Sequence, residues 1–99
     1  MIFKNIKFDI YNKDITSEEV KNRFGDFLNY IGENEISHIE ICDKDQGYIF
    51  IEKEGKENKW DKKTVQMCDL LNTLNFDAFL SEEDYGYVDV IVLNNIFYK

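Results

Sequence analysis

Ninety-nine residues with 43% hydrophobic content and fifteen aromatics (eight Phe, six Tyr, one Trp) fit one compact domain over residues 1–99 and exclude a disordered chain. Twenty acidic against twelve basic side chains give a net charge of −8, which repels phosphate backbones and anionic lipid and favours a basic partner. No apolar run approaches the roughly 18 residues needed to cross a bilayer, and Lys4, Lys7 and Asp9 interrupt the first segment, so no signal peptide and a cytoplasmic location are expected.

Residues 2–11 alternate Ile2, Ile6, Phe8 and Ile10 against Phe3, Asn5, Lys7, Asp9 and Tyr11, and a period of two predicts a strand. Thr16 stands three residues before Glu19, with Ile15 and Val20 around them, the pattern of a capping box with a hydrophobic staple. Val20, Phe24, Phe27, Leu28 and Ile31 continue as one helical stripe that Gly32 is placed to end. Residues 36–43 and 48–53 alternate on either side of Lys44-Asp45-Gln46-Gly47, the composition of a hairpin turn. A three-residue loop with Gly47 left-handed sets Lys44 against Tyr48, Cys42 against Phe50 and Ile41 against Ile51. Ile39, Ile41, Ile49 and Ile51 then share one face, and His38, Glu40, Cys42, Tyr48, Phe50 and Glu52 the other.

A charged connection over residues 54–59 leads to a second helix that Asn58 would cap, with Trp60, Thr64, Met67, Cys68, Leu71 and Leu74 at helical spacing and Asn75 at its end. Residues 76–81 read as a short strand, 82–86 as a turn, and 87–93 as a strand apolar on both faces, which fits an inner position. The whole order predicts an α+β fold of ferredoxin-like βαββαβ(β) type, a mainly antiparallel sheet with two helices packed on one face.

No catalytic motif stands out. Cys42 and Cys68 form neither a C-x-x-C pair nor a disulfide framework and read as reduced, buried, small hydrophobes. His38, Glu40 and Cys42 alternate on one strand and could each bind zinc, yet a closed site needs a fourth ligand, so no metal and no cofactor are expected. The element order, with Asp9 late in the first strand, resembles small dimeric ferredoxin-like nucleases, and that resemblance implies a metal-dependent enzyme. A charge of −8 opposes holding the polyanion such an enzyme needs unless metal ions intervene.

Charge placement is the more informative feature. From Thr64 to Tyr98 there is no Lys or Arg, while Asp69, Asp77, Glu82, Glu83, Asp84 and Asp89 occur beside Tyr85 and Tyr87. Carboxylates next to aromatic rings suit an Arg- and Lys-rich groove, because a guanidinium pairs with the former and stacks on the latter. A second outward patch is expected from Tyr11, Glu40, Tyr48, Phe50 and Glu52. The leading reading is therefore a non-enzymatic inhibitor that fills the basic groove of a nucleic-acid-handling protein or nuclease. In size, charge and absence of motifs it resembles the anti-CRISPR and other anti-defence proteins of phages, and immunity proteins that block nucleases. The alternatives are a module dimerising through an aromatic sheet face and a small-ligand or metal-dependent enzyme.

Overall fold

The computed structural model describes residues 6–31, 36–55, 59–83 and 85–97, so the expectations placed on Phe3, Gly32, Asn58 and Asp84 lie outside the described residues. The elements run β1 (Lys7–Ile10), α1 (Ser17–Ile31), β2 (His38–Ile41), β3 (Gly47–Glu52), α2 (Lys62–Thr73), β4 (Asp77–Leu80) and β5 (Val88–Asn94). They form an α+β fold, a five-stranded mixed sheet with two helices.

The strand order is β1-β2-β3-β5-β4, with β1 parallel to β2 and the remaining pairs antiparallel. In the expected ferredoxin-like sheet the first and third strands are central neighbours, whereas here β1 is an edge strand beside β2. The fifteen residues of α1 are long enough to return the chain parallel to its own start, which a tight turn cannot do. Between β3 and β4 lies β5, whose Ile91 and Leu93 are fully buried on one face and Val90 nearly so on the other, as an inner strand requires.

The pairings sort side chains onto two faces. Phe8, Ile10, Ile39, Ile41, Ile49, Ile51, Ala78, Leu80, Ile91 and Leu93 point one way and belong to one core with Val20, Phe24, Phe27 and Leu28 of α1 and Met67, Cys68 and Leu71 of α2. Both helices therefore cover the same face. Within that core the rings of Phe24 and Phe76 lie 4.9 Å apart and those of Phe8 and Phe24 6.2 Å, tilted contacts that each add about 0.5–1.5 kcal/mol beyond burial.

Local chemistry sets the helix ends. At α1, the Glu19 amide donates to Thr16 Oγ1 at 3.1 Å and the Thr16 amide to Glu19 Oε2 at 3.2 Å, the reciprocal capping box read from sequence. At the far end of α2, Asn75 turns left-handed with φ 68°, and the Phe76 amide donates to the Leu71 carbonyl. Arg23, the chain's only arginine, lies 3.6 Å over the Phe76 ring and donates to the carbonyls of Leu74, Asn75 and Ile96, tying α1 to the end of α2 and the carboxy-terminal segment. Desolvation lowers the pKa of that guanidinium, which still donates throughout.

The hairpin register differs from expectation. His38 faces Phe50, Ile39 faces Ile49, Glu40 faces Tyr48 and Ile41 faces Gly47. Asp43 decides this, because its Oδ1 accepts the amides of Asp45 and Gln46 at 2.8 Å and closes a longer loop. Gly47 serves close approach rather than a left-handed turn, since a Cβ there would stand 2.5 Å from the Glu40 carbonyl oxygen. The shift moves each pairing but keeps its parity, so every side chain stays on its expected face. Trp60 also departs from expectation: it precedes α2 and donates its indole N–H to the Ser81 carbonyl at 2.8 Å.

Candidate functional site

The face away from the helices carries Lys7 and Asp9 from β1, His38 and Glu40 from β2, and Tyr48, Phe50 and Glu52 from β3. Val88, Val90 and Val92 come from β5 and Asp77 and Phe79 from β4. Cross-strand rows bring distant residues together: Asp9, Glu40, Tyr48, Val92 and Phe79 form one row, and Lys7, His38, Phe50 and Val90 the next. Phe79 is 48% exposed, an uncovered ring in the open surface. His38 stacks on Phe50 with ring centroids 4.3 Å apart and planes 7° apart, and Tyr48 leans on the other side of Phe50 at 6.4 Å.

This face carries the second of the two patches read from sequence and one residue, Asp77, of the first. Glu40, Tyr48, Phe50 and Glu52 lie on its inner strands, and Tyr11 follows β1 at its edge, held by its amide to the Ile41 carbonyl at 2.9 Å. Glu40, with burial and then Asp9 and Cys42 adding to it, raises the pKa of the exposed Tyr11 phenol. Asp77 stands on the same face at the β4 end. Tyr85 lies between β4 and β5: its hydroxyl donates to Glu83 Oε2 at 2.8 Å, a bond that raises its pKa against a smaller opposing effect of Ser81.

Other residues of the acidic third are elsewhere. Asp69 is exposed on α2, in the helix layer. Glu82 pairs with Lys59, a base from the middle segment. Tyr87 is exposed, with its carbonyl accepting the Lys53 amide at 2.6 Å. Asp89, expected to point outward, is 3% exposed on the helix-covered face of β5. Its Oδ2 accepts the Asp61 amide at 2.9 Å and the Thr64 hydroxyl at 2.7 Å, while Lys53 Nζ stands 3.9 Å from Oδ1 with its side chain only 7% exposed. Asp61 cannot cap α2 with its own side chain, which receives the amides of Glu54 and Gly55 instead. The Asp89 carboxylate instead lies beside that helix start, bonded to the amide of the residue before it and to the Thr64 side chain, where the positive terminus favours it. A run of acids in sequence is thus two populations, one structural and one on the surface.

Sequence reasoning missed a grouping on the same open face. The metal-capable atoms of Asp9, His38 and Glu40 all lie within 4.8 Å of one another. Alternation along a single strand joins His38 with Glu40 and Cys42, whereas the third donor comes from the neighbouring strand, a pairing that β1 beside β2 provides. Burial, then Glu40 and Asp43, raises the pKa of the Cys42 thiol. Comparison of the chain with protein families, curated proteins and solved structures finds no match.

Proposed function

We propose that this protein is a non-enzymatic binding protein whose uncovered sheet face docks onto a basic protein surface of the kind that handles nucleic acid, occupying the place of the phosphates. The observation that carries this reading is the composition of that face. Its strands present Asp9, Glu40, Glu52 and Asp77 against one lysine, Lys7, around Tyr48, Phe50, Val92 and Phe79. Apolar rings within a carboxylate rim match an arginine-rich groove, where the rings take the guanidinium planes and the carboxylates their charge. Long-range attraction from a net charge of −8 adds a faster encounter with such a surface.

Self-association through the same face is the weaker reading. A two-fold interface would lay each patch on its own copy and set carboxylates against carboxylates. Direct binding of RNA to the rings is opposed by the same charges. Cys42 and Cys68 are both unpaired, which suits a reducing compartment such as the cytoplasm.

The test is competition. A partner captured by the full chain should be released by duplex DNA or RNA and by rising salt, should be lost with Glu52→Lys combined with Asp77→Lys, and should be kept with Asp69→Lys in the helix layer. A partner held equally by the sheet-face variant would remove the proposal.

A further inference from the structure

Asp9 and Glu40 are direct partners in the parallel register of β1 and β2, so two carboxylates project side by side from the same face. Like charges directly opposite each other across a ladder are destabilising unless a cation joins them. Lys7 lies 3.8 Å from Asp9 Oδ1 but its side chain is 74% exposed, so it offsets little of that repulsion. His38 completes the group from the position two residues before Glu40. Its Nε2 is 3.3 Å from Glu40 Oε2 and 3.9 Å from Asp9 Oδ2. Stacking on Phe50 holds the plane of the ring against β3.

We propose that Asp9, His38 and Glu40 form a binding site for one divalent transition-metal ion, with zinc the best fit. Ligands placed about 2.0–2.2 Å from a tetrahedral zinc stand about 3.4 Å from one another. The His38–Glu40 separation of 3.3 Å already matches that edge, and His38–Asp9 at 3.9 Å needs only a small side-chain rotation. One imidazole nitrogen with two carboxylates is a borderline donor set, which separates zinc and its transition-metal neighbours from magnesium and calcium, ions that take oxygen ligands throughout. Three protein ligands leave a fourth coordination position for water or for a donor group from whatever lies on the sheet. The site needs no partner protein, so its test is independent of the docking proposal.

Titration of the metal-free full chain with zinc chloride by calorimetry should give one ion per chain, and zinc should raise the melting temperature. Asp9→Asn and Glu40→Gln keep shape and remove one charged ligand each, and either should weaken zinc at least tenfold. Asp77→Asn, on the same face but outside the group, and Cys42→Ser should leave affinity unchanged. Because His38 is the only histidine in the chain, its ring nitrogens give an unambiguous nitrogen-15 signal, and Nε2 should shift on zinc addition. Three results would overturn the assignment: no heat at millimolar zinc, affinity that survives both Asp9→Asn and Glu40→Gln, or loss of binding with Cys42→Ser.

Discussion

Two carboxylate sites on opposite faces of one sheet show what surroundings do to the same chemical group. Asp89 is enclosed under α2, where an amide, a hydroxyl and a lysine converge on it. Asp9 and Glu40 sit on the uncovered face, set against each other by the strand register and joined, among the described residues, by a histidine and an exposed lysine. A buried carboxylate persists when donors surround it, and it then holds the fold together. A pair of carboxylates at the surface, held by fewer and more exposed partners, adds nothing to the core and is available for a ligand. The lesson is that acidic sequence alone does not mark a binding surface, since satisfied donors and open ones decide the role.

Breaking the enclosed site should have the largest effect. Asp89→Ala leaves Lys53 and the start of α2 without their anion and should cost about 3–5 kcal/mol in urea unfolding, whereas Asp89→Asn, which keeps an acceptor, should cost less. Gly47→Ala forces a methyl group against the Glu40 carbonyl, 2.5 Å away, and Ile96, 2.8 Å away, on the helix-covered side, and about 1–3 kcal/mol of destabilisation is expected in the same measurement. Thr16→Ala removes one half of the α1 capping box and should cost about 1 kcal/mol. Asp77→Lys on the open face should change stability by no more than about 0.5 kcal/mol, because that carboxylate is exposed and supports nothing beneath it. A large loss there would erase the distinction between the two faces.

The smallest expected effect is a proton. The Tyr85 phenol gives its hydrogen to Glu83, and deprotonation would bring two negative charges together, which is why its pKa is raised. Glu83→Gln should therefore lower the Tyr85 pKa toward that of an ordinary phenol, so that at one alkaline pH more of it is ionised than in the parent protein. Carbon-13 shifts of the labelled tyrosine rings through an alkaline titration would show it, and an unchanged midpoint would show that the bond does not form in solution.

Much of the local structure was legible in the chain. Thr16 and Glu19 gave the start of α1 because a capping box uses only neighbouring residues, and Asn75 marked the end of α2 for the same reason. The alternation of residues 36–53 set the face of each side chain, and that survived a register error because the true pairing keeps the parity. The register itself depended on Asp43, a turn former that strand periodicity does not reveal.

Of the candidate surface, Glu40, Tyr48, Phe50 and Glu52 followed from the same alternation, and the charge asymmetry followed from counting. The neighbours of β1, the insertion of β5 between β3 and β4, and the enclosure of Asp89 did not. Period and composition are properties of a single segment, whereas strand neighbours are chosen by which arrangement covers the apolar faces of all segments at once. Sequence by itself therefore determined the elements, the inward and outward sides of the first three strands and the sign of the surface. Only the tertiary structure decided that Asp9 meets Glu40 and His38 and that Asp89 turns inward, because the first depends on which strand lies alongside and the second on which helix end lies above.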